Sequence, residues 1–173
     1  MAPQHKRLRL RRSNENDLPL ASMGGEEDRG KGTTGYLWDV AQSSDSVLLG
    51  GSARYLGACA AEDLTLPPLT ELKRVGSTGS PCPPSAYAWL AREKPGVGLH
   101  STSGGTDLNG SFHGGNPWLP VFEAELQSAG LGLDVAVLDE AGDEEVAAGA
   151  QGELACRSAF PCAPLAFLGD DEG

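Results

Sequence analysis

Residues 99–120 read LHSTSGGTDLNGSFHGGNPWLP, and the interpretation of the whole chain begins from this stretch. It holds two Gly-Gly pairs, several hydroxyl side chains, the carboxylate of Asp107 and the imidazoles of His100 and His113. Glycine allows backbone N–H groups to come close to an anion and surround it. Thr106 and Asp107 add a hydroxyl donor and a hard oxygen ligand for a divalent cation. The stretch is therefore a candidate loop for a phosphorylated ligand with a metal, and a tight turn between strands is the alternative.

The composition indicates one domain with a small aliphatic core. The chain has 173 residues, of which 39% are hydrophobic and only 6% aromatic. Its net charge is −11, although five of its 13 basic residues fall within residues 6–12, so that eight basic residues accompany 24 acidic ones. An acidic body of this kind argues against a nucleic-acid partner, which requires clustered Lys and Arg.

The cysteines and the apolar runs suggest a cytoplasmic protein. The four cysteines form no C-x-x-C pair, which favours reduced thiols over a disulfide framework. No apolar run approaches the length of about 18 residues that a membrane span needs, so no membrane span is expected.

Residues 1–33 differ from the rest of the chain. A basic run, residues 6–12, precedes a polar and acidic tract, and the segment is expected to be a disordered tail outside the folded domain. A nuclear-localisation-like patch and an Arg-rich transit peptide are the alternatives. Residues 25–32 have the glycine and lysine spacing of a Walker A loop, but Gly32 stands where that loop needs Ser or Thr.

From Tyr36 the pattern alternates between helices and strands, which predicts an α/β fold. Helices are expected at residues 36–41, 52–61 (capped by Ser52) and 85–93, where Tyr87, Trp89 and Leu90 point inward. Strands are expected at residues 47–50, 72–75 and 97–100, the first of them buried. In such folds the loops that bind ligands follow the carboxyl ends of the strands. The second and third strands lead into residues 76–81 and into the glycine-rich stretch.

After Pro120 the pattern predicts β-structure. Residues 134–139 and 152–157 read as paired strands of a small β subdomain. The domain is thus expected to span residues 34–173, α/β to about residue 120 and β-rich beyond it.

Several strings in this order resemble the acetoacetyl-CoA synthetases, which are acyl-adenylate-forming ligases. They are residues 51–56 (GSARYL), 77–81 (STGSP), 101–120, 127–132 (QSAGLG), 152–154 (GEL) and 160–161 (FP). The resemblance covers roughly residues 36–173 and implies part of the large N-terminal domain of such a ligase.

The resemblance implies that ATP activates acetoacetate to an acyl-adenylate, which CoA then captures. Thr106 matches the hydroxyl donor to the α-phosphate, and Asp107 matches the acid at the Mg²⁺ position. Gly79, Ser80 and Pro81 match the loop that lines the adenine. Gly104 falls where acetate-specific relatives carry a Trp that closes the acyl pocket, so Gly104 and Gly105 are assigned to a pocket with room for a longer acyl group. His113 is expected to be a hydrogen-bonded loop residue.

The departures from the family pattern limit the expected function. The Ser/Thr/Gly-rich loop that ends in Pro-Lys and clamps phosphates is echoed only by residues 32–35, and the small domain with the catalytic Lys is not found in the 173 residues. We therefore expect a middle part of a ligase without turnover of its own. The alternative is a non-catalytic nucleotide-binding or interaction remnant. A hydrolase is disfavoured because no Gly-x-Ser-x-Gly elbow occurs.

Overall fold

The computed structural model describes residues 32–142 and 145–166. Residues 1–31, with the basic run, lie outside the described part. The helices are α1 (Tyr36–Ser43), α2 (Ala53–Ala61) and α3 (Pro84–Glu93). The strands are β1 (Leu48–Ser52), β2 (Arg74–Thr78), β3 (Gly98–Ser101), β4 (Ser103–Gly105), β5 (Gly110–Gly114), β6 (Ser128–Ala129), β7 (Val135–Leu138) and β8 (Glu153–Cys156).

The first half of the fold is a parallel sheet built from two successive β-α-β units. Its strand order is β1-β2-β3, and α2 and α3 are the two crossover helices. Ser52 pairs with Thr78, and Ser77 pairs with Ser101. The carboxyl ends of the three strands therefore reach one common edge, as the sequence predicts for an α/β fold.

The helices begin where the sequence predicts them to begin. The Ser52 hydroxyl accepts a hydrogen bond of 3.1 Å from the Tyr55 N–H and so satisfies one of the free donors at the start of α2. Pro84 stands at the first position of α3, where its missing N–H costs nothing. The α1 helix extends two residues beyond the expected end, to Ser43. None of these helices is long and apolar enough to cross a membrane.

The main core lies between the sheet and the helices. Val75 and Leu99 are buried on one sheet face, within the same cluster as Leu56 and Leu90 of the two crossover helices. Tyr87, Trp89 and Leu90 are buried as expected. The ring of Trp38 packs edge-on against Trp89 with centroids 5.5 Å apart. The three helices and the sheet thus share one aliphatic and aromatic core.

The expectation of a fully buried first strand is wrong. Val47 and Leu48 are 57% and 63% exposed, and exposure alternates along β1. The strand lies at the sheet edge, and the core cluster covers only the face that carries Val75 and Leu99. Alternate side chains of β1 consequently point away from the helices.

The glycine-rich stretch contains a tight turn between strands, which was the alternative to a ligand-binding loop in the sequence analysis. Residues 103–114 form an antiparallel hairpin of β4 and β5, to which β6 adds a third strand. The change from parallel to antiparallel structure therefore occurs at Ser103, earlier than the expected position near residue 120. Glycines conceal a strand from sequence analysis because they supply no alternation of apolar and polar side chains.

The predicted pair of later strands is confirmed. β7 and β8 pair antiparallel, with Val135 opposite Cys156 and Leu138 opposite Glu153. A second, smaller set of buried side chains lies in this half of the fold and comprises Leu108, Phe112 and Ala136. The larger aliphatic side chains of this half vary in burial. Leu131 is fully exposed, whereas the others are half-buried: Leu133, Val135, Val137 and Leu154.

Candidate functional site

The carboxyl edge of the parallel sheet joins the two segments that the sequence assigns to ligand binding. The Thr102 N–H donates to the Ser77 carbonyl oxygen at 2.8 Å, one step beyond the paired residues of β2 and β3. Residues 79–81 leave β2 at this edge, and the β4–β5 hairpin leaves β3 at the same edge. Both segments therefore begin at the same edge of the parallel sheet.

The loop after β2 is exposed and short. Gly79 has a φ of +90°, a backbone conformation that residues other than glycine rarely adopt. Gly79, Ser80 and Pro81 are all exposed, and the next residue, Cys82, is buried and anchors the loop. α3 follows directly and has no side-chain cap at its N-terminus. Uncapped N–H groups and the helix dipole make this position favourable for negative charge.

The tip of the hairpin presents Thr106 and Asp107 to solvent. The Asn109 N–H closes the turn by donating to the Gly105 carbonyl oxygen at 3.1 Å. Leu108, which lies between Gly105 and Asn109 in this turn, is 2% exposed. Thr106 and Asp107 are exposed, and neither side chain hydrogen-bonds to any part of the chain that the structure describes. Both groups are therefore available to a ligand.

Asp107 is the single candidate metal ligand of the sequence analysis. Within residues 32–142 and 145–166, no three His, Cys, Asp or Glu side chains gather as a metal-binding group. Mg²⁺ in nucleotide sites commonly takes one or two protein carboxylates together with phosphate oxygens and water. A lone exposed carboxylate at the hairpin tip has the donor chemistry for that arrangement.

Gly104 and Gly105 meet different surroundings although they are neighbours. A Cβ at Gly104 would overlap the carbonyl oxygen of Gly110 and lie 3.0 Å from the Ser111 Cα. A Cβ at Gly105 would have no atom within 4 Å. Close pairing of β4 with β5 therefore explains the absence of a side chain at Gly104, while Gly105 borders open space.

A buried polar cluster lies behind the sheet edge, and the sequence analysis missed it. It comprises Ser77, Cys82 and Tyr87, which are at most 8% exposed. Among the described residues no hydrogen bond of normal geometry reaches the Ser77 or Tyr87 hydroxyl oxygen, although Cys82 lies beside Ser77 and Ser101 beside Tyr87. Burial raises the pKa of the Cys82 thiol and, together with the nearby Cys82, that of Tyr87. These groups consequently remain protonated and neutral. The alternation of β2, which places Ser77 on the buried face with Val75, is the signal that could have identified the first of them.

Gln127 links the hairpin to the parallel sheet, and the sequence analysis missed this role. Its side-chain oxygen accepts from the Asn116 N–H at 2.9 Å and lies 2.5 Å from the His100 Nδ1. Its nitrogen lies 3.1–3.2 Å from the carbonyl oxygens of Asn116, Leu119 and Pro120, which share its two hydrogens. Five contacts from one amide fix the segment that follows β5. No local sequence pattern predicts these contacts, of which the one with His100 spans 27 residues.

The expectation that His113 is a hydrogen-bonded loop residue is wrong. His113 lies within β5, and its buried Nδ1 has no partner among the described residues. Burial lowers the pKa of His113, because the imidazolium loses solvation there. The imidazole is therefore held in its neutral form next to the hairpin pairing.

The fold is that of the adenylate-forming ligases. An anthranilate CoA ligase, solved in complex with anthranoyl-AMP, superposes with a TM-score of 0.64 over 72% of this chain and 24% of that chain, at 17% identity. No family model matches the chain.

Sequence similarity narrows the class, and the chain is a relative of the acetoacetyl-CoA synthetases. It is 38% identical over 141 residues to the acetoacetyl-coenzyme A synthetase of Rhizobium meliloti, covering 79% of this chain and 21% of the relative. The acetoacetyl-CoA synthetase of Streptomyces lividans has 35% identity and a TM-score of 0.72, over 82% of this chain and 23% of that one. The chain thus spans about a fifth of the length of the curated relatives it matches.

Proposed function

We propose that this chain carries the adenylate-binding corner of an acetoacetate-activating ligase. In that reaction ATP converts acetoacetate to an acyl-adenylate with release of pyrophosphate, and CoA then takes up the acyl group. The partners are therefore small molecules, namely acetoacetate, ATP and CoA, and no nucleic acid is among them. A cytoplasmic location belongs to the same proposal.

One observation carries this proposal. The Thr102 N–H to Ser77 carbonyl hydrogen bond joins the starts of two segments that have exposed polar groups and few internal partners. β4 has three residues, so at roughly 3.3 Å per residue the chain can carry the turn up to about 10 Å beyond the sheet edge. That separation suits a nucleotide whose base lies on the loop while its phosphate reaches the hairpin tip.

Each residue has a separate role in the proposed site. Gly79, Ser80 and Pro81 line the adenine. Thr106 donates its hydroxyl hydrogen to the α-phosphate, where negative charge increases during attack by the carboxylate of acetoacetate. Hydrogen-bond donors that are already in place stabilise such charge without reorganisation.

Asp107 is proposed to bind Mg²⁺, which neutralises phosphate charge when it is bound. The open space beside Gly105 is the better supported part of the proposed acyl pocket, since the Gly104 position is closed by β5. We therefore place the acyl group on the Gly105 side of the hairpin.

We further propose that the 173-residue polypeptide alone gives no turnover, because it supplies groups on only one side of the ATP. The test is pyrophosphate release by the purified chain with ATP, Mg²⁺, acetoacetate and CoA. The expected result is none, and sustained formation of acetoacetyl-CoA would contradict the proposal.

Calorimetry with ATP and with an acyl-AMP analogue distinguishes the proposed adenylate-binding site from a remnant that only takes part in protein interactions. The proposal predicts saturable binding, weaker than micromolar for ATP, that is reduced in Thr106→Ala. Absence of any binding by a folded chain would favour the interaction remnant instead.

A further inference from the structure

The opposite, amino-terminal edge of the parallel sheet holds an open pocket of about 700 Å³. Its polar lining includes Lys73, Arg74, Lys94 and His100, and its apolar lining includes Leu119 and Val121. Arg74 begins β2, while Thr106 and Asp107 lie beyond the other end of the sheet. The pocket is therefore separate from the proposed nucleotide site.

The pocket is positive within an acidic protein. Three cations line it against a single carboxylate, that of Glu93. The whole chain carries a net charge of −11. The described residues contain six lysines and arginines, and three of these six line the pocket. The six are Arg54, Lys73, Arg74, Arg92, Lys94 and Arg157. Such concentration of scarce positive charge favours an anionic ligand.

Two of the charged side chains in the pocket, Glu93 and Lys94, already have partners within the protein. Glu93 accepts from the Leu66 N–H and from the Arg92 Nε, each at 3.2 Å, so Arg92 offsets its charge. The Lys94 ammonium donates to the Pro68 carbonyl oxygen at 2.5 Å. The Lys94 ammonium also compensates the negative end of the α3 dipole, which points toward this edge.

Lys73 and Arg74 are exposed and have no ion-pair partner among the residues that the structure describes. Their backbone N–H groups donate to the Val47 carbonyl oxygen at 2.9 and 3.3 Å, which fixes the start of β2 and the origin of both side chains. Two adjacent, unpaired cations that line the same pocket are a suitable pair for a phosphoryl group, which Arg binds with two hydrogen bonds and Lys as a point charge.

The histidine in the pocket has a defined orientation. The Gln127 side-chain oxygen can only accept, and it already accepts from the Asn116 N–H, so His100 Nδ1 must carry the hydrogen of their 2.5 Å contact. The other ring nitrogen lies over Gly98, where a Cβ would be only 2.7 Å from it. A glycine thus makes room for an imidazole whose Nε2 is not used by Gln127.

From these observations we propose that the pocket binds a phosphate monoester that carries a compact apolar group. Lys73 and Arg74 hold the phosphate, and the His100 ring lines the same pocket. The half-buried Val97 and Val121 and the exposed Leu119 contact the apolar group. The site is independent of the proposed adenylate corner.

The test is a titration of the purified chain followed by amide chemical shifts. Phenyl phosphate is the probe, with inorganic phosphate and benzoate as comparison ligands. We expect saturable shifts at Lys73, Arg74 and His100, tighter binding of phenyl phosphate than of either comparison ligand, and weaker binding as salt increases. Arg74→Gln should weaken phenyl phosphate binding about tenfold, since it removes a charge-assisted contact.

Arg54→Gln is the matched control, because it also removes one exposed arginine but lies on α2, away from the pocket. We expect it to leave the affinity within about twofold of the unsubstituted chain, since only long-range screened charge changes. Lys73→Gln gives a second, independent variant with the same expected loss as Arg74→Gln.

Four results would overturn the proposal. These are no saturable binding of phenyl phosphate, equal losses in Arg54→Gln and Arg74→Gln, shifts confined to residues 79–81 and 106–107, or benzoate binding as tight as phenyl phosphate. Loss of ATP binding in Thr106→Ala does not bear on this pocket, so the two sites can fail separately.

Discussion

The helix-covered parallel sheet and the β4–β5 hairpin that follows it differ in how far their side chains are buried. Around the parallel sheet a cluster of 14 buried residues includes three aromatic rings. The hairpin has two large buried side chains, Leu108 and Phe112, and its tip is exposed. The difference indicates that most of the buried core lies around the parallel sheet, while the hairpin leaves the side chains at its tip exposed.

The largest effect should come from removing an aromatic ring on the parallel side. Trp38 is fully buried and packs against both Trp89 and Tyr55. Trp38→Ala should lower the free energy of unfolding by about 3–5 kcal/mol. Denaturant unfolding followed by far-UV circular dichroism measures this, because α1–α3 all lie in this layer.

Phe112→Ala is the matched substitution on the hairpin side, where the ring packs edge-on against Phe160. We expect it to leave the helical transition in place while it increases hydrogen exchange in β5. If both substitutions shifted the helical transition equally, the two regions would form one cooperative unit and the contrast would be wrong.

The neighbouring glycines of β4 sharpen the contrast within the hairpin itself. Gly104→Ala should destabilise the hairpin by about 1–3 kcal/mol, because the new methyl group must displace the backbone of Gly110 and Ser111. Gly105→Ala meets no atom within 4 Å and should leave hairpin protection nearly unchanged. Amide exchange at Ser111 is the measurement, and similar exchange in both variants would contradict the packing account.

Gln127 tests how the two regions are joined. Gln127→Glu keeps an acceptor for the Asn116 N–H but turns a second oxygen toward the carbonyls of Asn116, Leu119 and Pro120. The repulsion and lost hydrogen bonds should cost about 1–3 kcal/mol locally. Increased exchange at Asn116, with an unchanged helical transition, is expected. Gln127→Leu is the control of similar volume, and a smaller effect of Glu than of Leu would contradict the assignment.

The smallest expected effect is the loss of stability at low pH that arises from His113. Burial lowers the folded-state pKa of His113 below the ordinary value of 6.5. The unfolded chain therefore binds a proton more readily, and the contribution of the neutral imidazole is present above about pH 6.5 and lost as pH falls through the lower, folded pKa. His113→Leu should reduce the acid dependence of β5 hydrogen exchange. An unchanged dependence would show that another group is responsible.

The extent to which the fold could be predicted follows from where its signals lie in the sequence. Ser52 and Pro84 mark helix starts by local chemistry, and the apolar spacing of Tyr87 and Leu90 marks a buried face, so the parallel half was predictable. β4 and β5 were missed because glycine carries no apolar period. The exposure of Leu48 was missed because a strand does not report whether helices cover one or both of its faces.

The candidate site was predictable in its residue types and not in its geometry. Thr106 and Asp107 could be proposed from a resemblance, but their freedom from partners depends on the hairpin. The crowding at Gly104 arises from β5 across the turn, and the contact of Gln127 with His100 joins residues 27 apart in sequence. Such tertiary contacts leave no trace in local pattern.

Chemical-shift mapping of ATP with Mg²⁺ on the isotope-labelled chain tests the central claim most directly. The account predicts saturable shifts at the amides of Gly79, Ser80, Thr106 and Asp107, reduced in Thr106→Ala. The amides of Lys73 and Arg74 should stay unshifted at the same ATP concentration, because the adenine is proposed to bind at residues 79–81. Saturable shifts that avoid both the residue 79–81 loop and the hairpin tip, or no shifts from a folded chain, would contradict the claim that this sheet edge binds an adenylate.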